Sequence, residues 1–423
     1  MIARWFSLPY RRMYLAAFLL DFSVAIGLTA MPFFIYQRLN GGVALSGTVG
    51  AVQMAVYAAG CFLSAGFVSR ARNSLNWALL GVGIYALLFA LVPWASSPAL
   101  CIVTASLPFL GLALAWPAMQ SWLGREPDPT VRARHIAGFN TATAFGFTFS
   151  PLLAGPLYDT DFRLPFAALV ALGATVLFLI VSLSRTTTHT APGHREGEDS
   201  AETEPAGIST GLLYASWAAT FTANGLFAAM RSVYPMRVNE LASSGSLTLF
   251  RDFRPALLDA VGPATTYSWL AFLLSLATVV CFAIFGRTRA WRGRFSILFA
   301  SQLAAAASFL LLSQARSLAM MVLCFVVVGA NFGVCFFASL YYSLLHAETR
   351  HRRAAINEGA LGAGGFAGGI GLGYAAGNVG ITEAFQCTPL FVLLAIAVQF
   401  LLLRIAGFSR TSGRKDASNA SSS

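Results

Sequence analysis

The chain has 423 residues, of which 57% are apolar and only 11% charged, against about a quarter charged in an average soluble domain. That balance excludes a water-soluble globular fold. The net charge of +11 comes without a basic surface interleaved with aromatic residues, so nucleic acid is excluded as a partner and the positive charge is read against a lipid bilayer.

A bilayer core about 30 Å thick needs about 20 apolar residues per helix. Runs of that length recur between short arginine-bearing breaks, which predicts an all-α polytopic membrane protein with twelve transmembrane helices. In chain order they cover 13–36, 43–68, 75–94, 98–123, 135–158, 164–184, 211–235, 262–285, 295–313, 317–345, 354–378 and 385–406. The first run is long enough to span and is followed by further spans, so no cleavable signal is expected. With both termini placed in the cytoplasm, 21 of the Lys and Arg residues fall inside and 7 outside, which fits the positive-inside bias of a cytoplasmic (inner) membrane protein.

The first helix carries an acid, Asp21, within "LDFSVAIGLTAMP". Counted from Met13 at about 1.5 Å per residue, Asp21 lies about 12 Å into the core. A charged Asp near a helix centre costs about 2.5 to 3.5 kcal/mol against lipid, so this one must face a bundle interior, a wet cavity or a basic partner. Two readings stand: proton coupling or contact with a cationic substrate, and a structural, hydrogen-bonded acid tying helix 1 to a neighbour. Glu358, about one turn into helix 11, poses the same choice beside Arg350, Arg352 and Arg353, where interfacial pairing is favoured.

The two halves repeat weakly. A shift of 217 sets Ser69-Arg70-Ala71-Arg72 on Gly286-Arg287-Thr288-Arg289 and "HIAGFN" on "RRAAIN". Around the first outer break the shift is 199, setting Gln37-Arg38-Leu39-Asn40 on Met236-Arg237-Val238-Asn239; the second half therefore carries 217 − 199 = 18 extra residues. That insertion, in 239–261, is amphipathic and suits either the outer membrane face or a lid.

With this repeat the chain resembles the major facilitator superfamily. The resemblance implies two pseudo-symmetric six-helix bundles, 1–184 and 211–408, joined by a cytoplasmic linker at 185–210 and followed by a tail at 409–423, with linker and tail expected to be disordered. The loop after helix 2 resembles the family's gating sequence in Gly66, Arg70 and Arg72, with Arg287 and Arg289 at the repeated positions; Ser69 stands where the family has an Asp, which removes the acidic half of a charge clamp. Helix 5 resembles the family's antiporter motif in the run from Gly146 through Pro151 and Gly155 to Pro156, with Ser150 and Ala154 where glycines are usual. The arginine that antiporters carry four residues before a helix-4 glycine is Leu107 here, ahead of Gly111. Helix 11 spaces glycines four apart, among them Gly364 with Gly368 and Gly369 with Gly373, a pattern for close helix packing.

Cavity candidates are Gln53, Trp116, Gln120, Asn140, Asn224, Asn331 and Tyr341, each equally readable as an interhelix hydrogen-bonding group. Arg231, near the outer end of helix 7, reads as a side chain snorkelling to the headgroups. The six Cys and five His lack metal-ligand spacing, so no metal and no cofactor are expected, and no phosphate loop can be written around the single lysine, Lys415. The reading is a non-enzymatic secondary transporter of a small molecule, a candidate for proton-coupled efflux by alternating access and expected to work as a monomer. Its rival is a transport-inactive sensor or assembly module with a transporter-like fold.

Overall fold

The computed structural model describes residues 8–70, 73–124, 126, 128–186, 210–250, 253, 255, 260–288, 290–344 and 350–420, with backbone alone at 65–70, 129–130, 133, 186, 344, 350–352, 354–355 and 405–420. The described chain is almost wholly helical, as it must be where no water is available to satisfy exposed backbone groups. The spanning helices are α1 (Leu8–Leu39), α2 (Val43–Arg70), α3 (Ser74–Phe89), α4 (Pro98–Ser106 and Pro108–Leu123), α5 (Pro129–Phe149 and Pro151–Thr160) and α6 (Leu164–Thr186). They continue as α7 (Thr210–Ser232, prolonged by Tyr234–Ser243), α8 (Pro263–Arg287), α9 (Phe295–Gln314), α10 (Leu318–Leu344), α11 (Arg350–Val379) and α12 (Ile381–Ala420).

The interruptions of α4 and α5 have a covalent cause. Pro108 and Pro151 each open a second segment because a proline ring removes an N–H and crowds the preceding turn, so α4 breaks at Leu107 and α5 at Ser150. α5 begins six residues before its predicted span because Asp128 caps it: its Oδ1 accepts from Val131 N at 3.2 Å, with Pro129 in the first turn. The predicted linker lies almost wholly outside the described residues, while tail positions 409–420, expected without structure, continue α12, in which no proline follows Pro389.

Nine of the described helices are long and apolar enough to cross a membrane. Those that fall short are α5, α7 and α11, whose Gly, Thr and Asn content suits the inside of a bundle rather than lipid. Their packing agrees: α5 lies on α1 and α8, α7 on α10, α11 and α12, and α11 on α2 and α7.

The helix pairs of the first half, α1 with α5, α1 with α6, α2 with α4, α3 with α4 and α3 with α6, reappear in the second as α7 with α11, α7 with α12, α8 with α10, α9 with α10 and α9 with α12. The bundles meet through α2 against α11 and α5 against α8, pairs that exchange under the same operation. The architecture is therefore two pseudo-symmetric six-helix bundles. The insertion after α7 is fastened to the α9–α10 turn: Thr248 N donates to Arg316 O at 3.0 Å, and Leu318 N to Thr248 O at 2.9 Å.

Candidate functional site

Both described chain ends lie on one side of the bundle, here the terminal side; the opposite is the far side. The described contacts between bundles all fall in the far half of each helix. On α2 they run from Val43 to Met54 and on α11 from Gly365 to Gly377; on α5 they reach from Phe147 to Asp159, and on α8 from Gly262 to Phe272. Nearer the terminal end of α11, Gly359 and Gly362 face open space, and Glu358 lies within electrostatic reach of Tyr57 and Cys61 on α2. The far-half contacts form a far-side seal, and the exposed Gln120, Asn140 and Glu358 lie on its terminal side, in the space termed the cleft.

Glycine makes the seal possible by letting backbones approach without intervening side chains. A Cβ on Gly373 would stand 3.0 Å from the Gly47 Cα, and one on Gly155 would stand 2.6 Å from both Ala264 O and Thr265 Cα. The other α11 stripe turns inward to its own bundle: a Cβ at Gly364 would meet the Phe221 backbone, and one at Gly368 the Gly225 backbone. Gly146 lies in the same way on the α1 backbone between Phe18 and Phe22. The helix-packing glycines of α11 thus serve two interfaces, one within a bundle and one between bundles.

Polar bonds then stitch the seal. Gln37 Nε2 donates to Asn239 Oδ1 at 2.8 Å and Ser46 Oγ to Ser232 O at 2.6 Å. Asp159, at the end of α5, accepts from Thr265 N at 2.7 Å and Ala264 N at 3.3 Å, so a carboxylate of one bundle caps the first turn of α8 in the other. Beneath these bonds, Phe33 lies 5.8 Å from Tyr158 and 5.9 Å from Tyr267 between ring centroids.

Inside the cleft, Asp21 keeps partial exposure and has no hydrogen bond or ion pair among the described residues. It lies within electrostatic reach of the hydroxyls of Tyr57 on α2 and Tyr85 on α3; Tyr57 is also within reach of Glu358 on α11 and meets the Cys61 thiol. Glu358 is exposed, and no bond to Arg353 is described. Gln120 and Asn140 are likewise exposed, and Trp116 is partly exposed with its ring edge-on to Phe139 at 5.8 Å.

Other candidates are committed to packing. Gln53 is buried and donates to Ala105 O on α4 at 3.0 Å, so it turns toward the neighbouring helix rather than the cleft. Asn224 Nδ2 donates to Leu361 O at 2.7 Å, joining α7 to α11. Asn331 is buried and accepts from Ser301 Oγ at 3.1 Å. The Tyr341 ring stands edge-on to Trp291 at 5.0 Å with the Arg292 guanidinium 4.8 Å away, in an aromatic cluster at the terminal end of α10. Gly66 and Arg70 lie at the terminal end of α2, Arg287 is exposed and donates to Ala283 O within its own helix, and Arg72 and Arg289 lie outside the described residues.

Arg231 departs from its sequence reading. Helical residues continue past it to Ser243, so the residue is not at the end of α7, and its guanidinium lies 4.5 Å from the Phe147 ring centroid and 5.8 Å from that of Phe227. The repeat carried a signal for this, because 231 − 199 = 32 sets Arg231 opposite Pro32, well inside α1. Asp159 gave no signal: the amides it caps are 105 and 106 residues away.

No curated protein sequence matches the chain. Among solved structures, it resembles a bacterial homolog of the human lysosomal transporter Spinster in an inward-facing, unoccupied conformation (15% identity, 94% of this chain and 98% of that one, TM-score 0.71). It also resembles the nucleoside transporter NupG (12%, 93% and 99%, TM-score 0.71) and the POT family transporter PepTSo (12%, 95% and 98%, TM-score 0.72). At such identities the likeness establishes the fold. The family model of the Major Facilitator Superfamily matches residues 13–250, more than half of the sequence, and the chain belongs to that superfamily of membrane transporters.

Proposed function

We propose that the protein is a secondary active transporter that carries a small molecule by alternating access, with the present conformation open on the terminal side. The observation that carries this reading is the asymmetry of the bundle interface: close glycine contacts, capping bonds and tilted aromatic rings on the far half, and exposed polar side chains on the other. Rocking the bundles about the cleft would exchange one closure for the other. The arginine bias supports placing the termini, and hence the open mouth, in the cytoplasm.

Asp21 is the proton-coupling residue in this proposal, with Glu358 as the second acid of the cleft. An intramembrane carboxylate without a basic partner is stable in lipid-like surroundings when protonated, and ionises when water or a cation reaches it. Reconstituted protein tests this under an imposed pH gradient, with wild type compared with Asp21→Asn. Gradient-driven flux that the substitution abolishes supports the proposal. Flux indifferent to both gradient and substitution removes proton coupling, and an absence of flux across a broad panel favours a sensor or assembly role.

A further inference from the structure

The cleft ends on a cation that nothing among the described residues neutralises. The Arg231 guanidinium lies between Phe147 of one bundle and Phe227 of the other, just beneath the aromatic seal. Two phenyl faces stabilise its charge but accept none of its five N–H donors. The nearby Tyr267 hydroxyl donates to Met230 O at 3.0 Å, and the ion pair described on α7 joins Arg237 to Glu240 rather than to Arg231. Among the described residues Arg231 has no hydrogen-bond partner, and its side chain keeps partial exposure. Buried charges in proteins are paired, and an unpaired one inside a membrane protein marks a place where a partner arrives.

We infer that Arg231 receives an anionic group of the transported molecule, a carboxylate or a phosphate, and that the substrate is an anion or a zwitterion. Guanidinium geometry suits either group through paired N–H donors. The flanking rings leave an apolar collar around the bound anion, and the acids Asp21 and Glu358, nearer the mouth, would meet a cationic group of a zwitterion. Because the Arg231–Phe147 stack joins the two bundles, an anion there contacts both sides of the joint that must open, which couples occupancy to closure.

The inference rests on the transport reading, and the two fail separately. Purified full-length protein is heated in detergent at constant ionic strength with inorganic phosphate, succinate, benzoate, glycine or tetraethylammonium. The expected result is a rise in Tm with at least one of the four probes bearing an anionic group, none with tetraethylammonium, loss of the rise in Arg231→Gln, and at least a threefold weaker midpoint in Arg231→Lys. No rise with any of the four, a rise in Arg231→Gln equal to wild type, or a rise confined to tetraethylammonium overturns the assignment. If Arg231→Gln elutes as aggregate, Arg231→Lys decides: a midpoint equal to wild type overturns it. Anion binding without flux in proteoliposomes would sink the transport reading alone; flux of a cation unchanged in Arg231→Gln would sink the anion site alone.

Discussion

Replacing Asp159 by alanine should loosen the far-side seal without disturbing either bundle. The carboxylate accepts from two amides at the start of α8, at 2.7 and 3.3 Å, and is attached to α5 of the other half. An N-cap of this kind is worth about 1 kcal/mol, and a negative charge at a helix N-terminus adds about 0.3 to 1 kcal/mol. Asp159 is exposed and Thr265 partly so, so screening trims the charge contribution, and the total is about 1 kcal/mol. Because these bonds join the bundles only while the far side is closed, the whole amount shifts the conformational equilibrium, by about fivefold at 1.4 kcal/mol per decade. The assay is the labelling rate of a single cysteine at Ala51, fully buried against Gly369, by a membrane-impermeant maleimide added from the far side, in a background lacking the six native cysteines. Asp159→Ala should label about fivefold faster than the parent, and Asp159→Asn, which caps nearly as well, less than twofold faster. Labelling of the alanine variant at the parental rate, or of the asparagine variant as fast as the alanine one, would refute the capping argument.

The two glycine stripes of α11 should separate by phenotype. Gly373→Leu, opposite Gly47 in the other bundle, should leave a folded protein with no flux and fast Ala51→Cys labelling, whereas Gly368→Leu, against the Gly225 backbone in its own bundle, should lower Tm or prevent purification. The buried amides of Gln302 and Gln399 donate to each other at 2.9 and 2.8 Å between α9 and α12. Either single Leu substitution should cost about 1 to 2 kcal/mol by stranding the partner, and the double substitution should recover most of it; a strictly additive cycle in thermal unfolding would contradict the pairing. Asp21→Asn should abolish gradient-driven flux while leaving Tm close to wild type, because Asp21 holds no described hydrogen bond; a large Tm loss would mark it as structural.

The spans were readable in sequence because lipid imposes a length and an apolarity on each of them, and the repeat was readable because the break after helix 2 and that after helix 8 keep the same arginine spacing and a second inner segment aligns at the same shift. The helix ends were less so: α5 starts early on an Asp-Pro cap that hydropathy does not register. The direction of a polar side chain was the least legible feature. A period of 3.6 residues identifies which positions share a face, but both the cleft and a neighbouring helix accept a glutamine or asparagine, and Gln53 and Asn224 went to neighbours. Arg231 misled because snorkelling presumes a helix end, and α7 has ten further helical residues from Tyr234 to Ser243. The seal residues Asp159, Ser46 and Gln37 pair across the bundles with partners more than 100 residues away, a separation at which pattern within one helix carries no information.

The central claim, reciprocal opening of two ends around one cleft, is tested most directly by paired distance distributions from spin labels at both ends of the reconstituted protein. One pair sits at Asn40 and Ser244 on the far side, the other at Gly124 and Thr288 on the terminal side. Two populations are expected at each end, with Asp159→Ala enlarging the long-distance population on the far side and the short-distance population on the terminal side by the same fraction. A single fixed distance at either end, or ends that lengthen together, would contradict it.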